Sequence, residues 1–359
     1  MFTKTSPKKV TGMYKKLKNL NWKPPDHWSK ISIIDMHTGG EPLRILVDGY
    51  PEVRGKSILE KRKYFRDHLD HIRKGIMWEP RGHADMYGAI LTEACSENSD
   101  FGTFFLHNEG YSTMCGHAII ALTKFVLDTK LIRKAGNQPI LKIDAPPGQI
   151  ISTGFRENGV VNSVSFRNVP SFVLHRDQYV QVPGLGRVLY DVAFGGAFYA
   201  IVDAQKLGIS LESSAYAQLI DLGMRIKKSV MNSQKITHPY EDDLSFLYGT
   251  IFTGKPLYSK RHSRNVCVFA NGEVDRSATG SGVSARAALH HARGELKLGE
   301  SMVIESILGT TMEVELASLT TFGPHKAVIP VVTGTASFTG KSSFWFDPGD
   351  PLKEGFIFR

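Results

Sequence analysis

Residues 116–128 present almost no polar face. Ala118, Ile119, Ile120, Ala121, Leu122, Phe125, Val126 and Leu127 cover a helical surface nearly all round, and such a helix is stable only when other structure encloses it. A short polar segment, Met114-Cys115-Gly116-His117, introduces it. The plan recurs far downstream. The strand-like run Val266-Cys267-Val268-Phe269 leads to Asp275-Arg276-Ser277-Ala278-Thr279-Gly280-Ser281-Gly282. An alanine-rich helix follows, with Ala285, Ala287, Ala288 and Leu289 along it and Gly294 as its stop.

Short strand-like runs surround both helices. Residues 31–49 read as a strand, a turn at His37-Thr38-Gly39-Gly40-Glu41-Pro42, and a second strand. Residues 57–74 carry a charged, helix-compatible pattern, and Glu79-Pro80-Arg81-Gly82-His83 is turn chemistry. Strands are expected at 87–91, 103–106, 139–144, 149–153 and 160–166, then at 188–203, 247–252 and from 302 to 346. The expectation is an α+β chain of two similar domains, each with many strands around a central helix, facing one another so that the two helix starts meet in a cleft. The expected borders are 1–30 for an N-terminal extension, 31–160 with 342–359 for the first domain, and 161–341 for the second.

Composition narrows the function classes. A chain of 359 residues with 42% hydrophobic and 22% charged residues supports two globular cores. No apolar run reaches the roughly 18 residues of a membrane span, and no apolar stretch marks a secretory signal. The formal charge of +9 is concentrated. Residues 1–30 hold eight lysines against one acid, Asp26, and so carry seven of the nine surplus charges. That segment is read as a solvated extension rather than an arm for RNA or a membrane surface, so neither nucleic acid nor membrane is expected as a partner. Three cysteines without C-x-x-C argue against a disulfide framework or structural zinc and for a reducing, cytoplasmic setting. His83-x-Asp85 with His107 or His117 lacks the helical spacing of a metal site, and none is expected. Gly280-x-Gly282-x-x-Ala285 mimics a dinucleotide fingerprint, but its strand ends well upstream, near Phe269.

The helix starts supply the chemistry. Unpaired N–H groups at two helix N-termini, aimed at one point, hold a carboxylate. Glycine at 116 and 280 lets the backbone approach the ligand. Cys115, just before the first helix, is expected to have a lowered thiol pKa. His117 and Asp275 add polar groups for an amine. Together these suit removal of the α-proton of a small amino acid, with Cys115 as base. Cys95 and Cys267 read as core residues.

Taken together, these segments resemble the proline racemase family. The resemblance also rests on Glu79-Pro80-Arg81-Gly82-His83-Ala84-Asp85-Met86-Tyr87-Gly88, Gly195-Gly196-Ala197-Phe198-Tyr199-Ala200-Ile201-Val202-Asp203 and Phe346-Asp347-Pro348-Gly349-Asp350-Pro351-Leu352, and runs from about residue 31 to the end. It implies a diaminopimelate-epimerase-like fold, a homodimer and no cofactor. It also implies a carboxylate clamp at Gly116, His117, Gly280 and Ser281, with Tyr87 and Phe269 as aromatic walls and His117 and Asp275 near the ring nitrogen. Tyr87 stands where the family also accepts phenylalanine.

The family's racemases use two cysteines on opposite faces of the proline ring. The first matches Cys115, and Thr279 occupies the place of the second. Threonine is too weak an acid and base for carbon-bound protons, so two-base racemisation is not expected. The branch with this pattern consists of trans-3-hydroxy-L-proline dehydratases, and the resemblance implies loss of the 3-hydroxyl as water. The alternative is a proline racemase or hydroxyproline 2-epimerase.

Overall fold

The computed structural model describes residues 12–358, so the first eleven residues of the expected basic extension lie outside them. Its remainder contains a short helix, α1 (Gly12–Lys18), with no buried residue.

The order of elements is stated once and then repeated. Strands β1 (Ser29–Thr38) and β2 (Glu41–Asp48) pair antiparallel, and α2 (Ile58–Met77) crosses to β3 (Gly88–Thr92), parallel to β2. Strand β4 (Phe101–Leu106) turns back, and α3 (Gly116–Asp128) crosses to β5 (Ile140–Ala145), parallel to β4. Strands β6 (Gly148–Glu157) and β7 (Val160–Arg167) follow antiparallel. In the second half β8 (Ser171–Val182), β9 (Gly186–Phe194) and β10 (Phe198–Asp203) meander, and α4 (Tyr216–Ser233) crosses to β11 (Leu247–Gly254), parallel to β10. Strand β12 (Ser263–Phe269) turns back. After the short β13 (Glu273–Val274), α5 (Gly280–Ala292) crosses to β14 (Ser301–Glu305), parallel to β12. Strands β15 (Thr311–Phe322) and β16 (His325–Gly334) close the half, and β17 (Ala336–Phe346) returns to β1.

All these strands join one continuous hydrogen-bonded sheet that closes on itself twice. The end of β16 pairs with β7, and its continuation, β17, pairs with β1, which completes a ring around α3. The start of β16 pairs with β8, which completes a ring through β9 to β15 around α5. Closure leaves few free edges. It also explains the composition of α3, whose residues from Gly116 to Leu127 are all buried. Its one lysine, Lys124, is satisfied by Asp128 Oδ2 at 2.8 Å and by the Val161 carbonyl.

The outer helices are amphipathic. Helix α4 buries Leu219, Leu222, Ile226 and Val230, spaced as one helical stripe. Helix α2 starts at Ser57, whose Oγ accepts the Glu60 N–H at 3.2 Å, and buries Phe65, Leu69, Ile72 and Ile76 against Phe104 and Leu106. The alanine-rich helix ends at Ala292, and Gly294 takes φ +75°, as a left-handed stop requires. The strand-like run 188–203 proves to be two strands, β9 and β10, turning at Gly195 and Gly196. No helix among the described residues is long and apolar enough to cross a membrane.

Candidate active site

The first turns of α3 and α5 touch. A Cβ built on Gly116 would lie 2.6 Å from Gly280 Cα, and one on Gly280 would lie 2.7 Å from Gly116 Cα. Any side chain at either place would force two buried helices apart. Glycine is thus required at 116 and 280 by the approach of the helices to one another.

Around this contact lies a cavity lined by all nine residues singled out from the sequence: Tyr87, Cys115, Gly116, His117, Phe269, Asp275, Thr279, Gly280 and Ser281. Met114, Tyr199 and Tyr248 complete it. Its open volume is about 10 Å³, room for a single water at most.

Cys115 is the N-cap of α3. Its backbone is extended, at φ −142°, and its Sγ accepts the Ala118 N–H at 3.3 Å. The His117 ring stands beside it, with Nδ1 3.1 Å from Sγ. The expected lowering of the thiol pKa is not found: burial pushes it well above the ordinary value. The Ala118 N–H and the Tyr87 hydroxyl oppose this, while the Asp275 and Glu41 carboxylates add to the rise. A helix start favours an anion only modestly. Loss of water around a residue only 4% exposed outweighs it.

The other polar groups are also shaped by burial. His117 is lowered to about 3 and is therefore a neutral ring; its carbonyl accepts the Thr38 hydroxyl at 2.8 Å. Asp275 is raised by burial to about 6, although the Ser277 N–H, 2.7 Å from Oδ1, resists the change. Glu41 is the first residue of β2, paired with Thr38 of β1. It is fully buried, raised well above the usual carboxylate range by burial, and accepts the Arg276 N–H at 2.7 Å.

Thr279 is the N-cap of α5, at the position that Cys115 holds on α3. Its φ is +67°, a region rare for a β-branched residue, where strain of about 1–3 kcal/mol is stored. The surrounding bonds enforce it: Thr279 N donates to Ser277 Oγ at 3.1 Å, and its carbonyl accepts the Val283 N–H at 2.8 Å. Unlike Cys115, its side chain does not cap its helix. Oγ1 is buried and makes no hydrogen bond of normal geometry among the described residues, yet it lies near enough to Asp275 to lower that carboxyl.

Aromatic rings wall the cavity. Tyr87 stacks edge-on to His117 at 4.8 Å and to Phe269 at 6.0 Å, and its hydroxyl bonds Ser112 Oγ. Tyr199 Oη lies 2.7 Å from Ser281 Oγ. Sequence reasoning missed Tyr199, Tyr248 and Glu41. Tyr199 and Glu41 lay inside motifs already noted, whereas Tyr248 is the second residue of an apolar strand and gave no signal. Among the described residues no three His, Cys, Asp or Glu side chains are grouped as metal ligands.

Polar links bind the two rings beside the cavity. Arg276 Nη2 lies 2.8 Å from Asp85 Oδ2, and the Tyr216 hydroxyl donates to the same carboxylate. Glu273 accepts the Asn108 N–H at 2.6 Å, and Thr310 Oγ1 donates to the Gly39 carbonyl at 2.8 Å.

Comparison with known proteins agrees with this architecture. The family model described as proline racemase matches residues 33–357. A relative from Colwellia psychrerythraea named trans-3-hydroxy-L-proline dehydratase is 47% identical over 94% of this chain and 96% of its own. A Homo sapiens relative of the same name is 46% identical over 92% of this chain and 95% of its own. The crystal structure of a hydroxyproline epimerase from Agrobacterium vitis with bound trans-4-hydroxy-L-proline superposes with a TM-score of 0.86, at 27% identity, covering 92% of this chain and 96% of the other.

Proposed function

The chain belongs to the proline racemase family, and from that premise we propose that it is a trans-3-hydroxy-L-proline dehydratase. One observation carries the reading: the two abutting helix starts offer one thiol, Cys115, and opposite it a hydroxyl, Thr279, in place of a second thiol. The names of the Colwellia and human relatives support it.

The substrate carboxylate binds the first-turn N–H groups of α3 and α5 at Gly116, His117, Gly280 and Ser281, which lack intrahelical partners. The ring ammonium faces Asp275. That positive charge offsets the carboxylates that raise the Cys115 thiol, so substrate binding itself favours the thiolate. The thiolate takes the α-proton. In the trans isomer the 3-hydroxyl lies on the same ring face, so the C3–O bond breaks there. The Cys115 thiol then returns its proton to the departing hydroxyl, releasing water and regenerating the thiolate. The enamine left behind tautomerises to Δ1-pyrroline-2-carboxylate. Thr279 orients the substrate from the opposite face.

The small cavity volume supports a site that opens to admit substrate and closes over it, as a cleft between two domains does. The chain passes from one ring to the other at residues 168–170 and returns within β16, where pairing changes from β8 at Ala327 and Val328 to β7 from Val331 onward; the borders proposed from sequence are 160 and 341. A homodimer and a cytoplasmic setting belong to the same proposal and rest on the family likeness and the cysteine content.

The test is to offer trans-3-hydroxy-L-proline to the wild type and to Cys115→Ser and to detect the imine. The wild type should form it and Cys115→Ser should not; a wild type without product overturns the assignment.

A further inference from the structure

A second cavity, of about 320 Å³, lies between the outer helices α2 and α4. It shares one wall with the catalytic cavity, Tyr248. The His107 ring lines it and stands 5.7 Å from the Tyr248 ring and 6.0 Å from Tyr87.

Its floor is cationic. Arg62, on α2, is buried and donates to the Ser112 carbonyl at 3.1 Å, and Ser112 in turn holds the Tyr87 hydroxyl. Lys227, on α4, is buried and donates to the Ala270 carbonyl at 2.7 Å, next to Phe269. Both retain further donors. His107 is neutral, since burial and the nearby Arg73 and Lys227 hold it at about 3. Its Nδ1 accepts the N–H groups of Glu109 and Gly110 at 3.3 and 3.2 Å, so the ring proton sits on Nε2. That Nε2 is buried without a hydrogen-bond partner among the described residues. Asp243, more than half exposed and 3.5 Å from Arg62, and Glu109 supply negative charge on the lining. A buried donor set and a more exposed acid together match a small zwitterion, carboxylate inward and ammonium outward.

We propose that this cavity is a staging site for a small zwitterionic amino acid, which passes Tyr248 to reach the catalytic cavity. The proposal rests on the dehydratase reading and adds the route. Two variants test it in the full chain, using trans-3-hydroxy-L-proline with hydrogen or deuterium at the α-carbon. Met231→Trp narrows the mouth at a half-exposed residue of α4, and Lys227→Met removes a donor from the floor. Both should lower kcat/KM by about fivefold or more, and the deuterium isotope effect on kcat/KM should shrink toward 1, because slowed passage commits bound substrate to reaction. Leu319→Trp, at an exposed residue of β15, serves as the control and should match wild type. Values of kcat/KM within twofold of wild type in both variants, or a loss with an undiminished isotope effect, overturn the staging site. Absence of imine from the wild type removes the parent reading and this one with it. An active wild type with indistinguishable variants removes only the staging site.

Discussion

Gly280→Ala tests the geometry on which the site depends. The new Cβ would stand 2.7 Å from Gly116 Cα, 3.2 Å from Gly116 C and 3.4 Å from Phe166 Cζ. Carbon atoms pack at about 3.5–4.0 Å, so the two helix starts must part by about 1 Å. The nearest atoms are backbone within buried helices, and no rotamer change relieves the contact. Overpacking of this kind costs about 1–3 kcal/mol, offset by up to about 1 kcal/mol for replacing a helical glycine with alanine. A net loss on the order of 1 kcal/mol moves Tm by a few degrees at most in a chain of this size. The effect on catalysis is larger. The carboxylate donors and the Cys115–Thr279 spacing move with the helix starts, and a 1 Å misplacement costs about 10²-fold in rate. The measurements are kcat for imine formation and Tm by calorimetry, with Gly340→Ala as control, since a Cβ there meets nothing within 4 Å. If Gly280→Ala keeps kcat within twofold of wild type, the abutting helix starts do not set the catalytic distance and the reasoning fails.

Two further outcomes follow from the site. The Asp275 carboxyl has an ordinary value of 3.8 and is raised by burial to about 6. Its contribution to stability is therefore complete below the unfolded value and lost as pH rises through about 6. Asp275→Asn should thus be more stable than wild type at pH 8, by up to about 3 kcal/mol at about 1.4 kcal/mol per unit, while losing most of kcat/KM and the acid limb near pH 6. Urea unfolding at pH 5 and pH 8 checks this, and an equal stability difference at both values counts against it. Thr279→Cys supplies the missing second thiol and should exchange the α-proton of L-proline in D2O with formation of D-proline. A variant that folds normally but shows no exchange would show that the Thr279 backbone, rather than its side chain, decides the outcome.

Legibility varied with the physical origin of each feature. The enclosed helix was plain because α3 has nearly no polar face, and the second followed from the recurrence of a polar loop before Ala285–Leu289 residues of similar character. Helix α4 escaped because its stripe of Leu219, Leu222, Ile226 and Val230 is diluted by a buried lysine, Lys227, and by Gln218, Asp221, Lys228, Asn232 and Ser233 on the exposed side. The cavity residues named from motifs do converge, but Tyr248 reads like any strand aromatic until the fold sets it between two cavities. The thiol pKa came out with the wrong sign for a similar reason. A helix start is visible in sequence, whereas the burial of Cys115 and its nearness to Glu41 and Asp275 depend on strands far apart in the chain.

The two helix starts hold corresponding places in a repeated order of elements, yet they are not alike. Cys115 has ordinary extended backbone and caps its helix, whereas Thr279 sits at φ +67° and leaves its helix uncapped. A duplicated scaffold with matching groups at both starts treats the two faces of a ring as mirror choices, and a proton can leave by either. Replacing one group, and bending the backbone beneath it, removes that equivalence. Direction in the proposed reaction is then stored at a single residue, while the surrounding architecture remains that of a device able to run both ways.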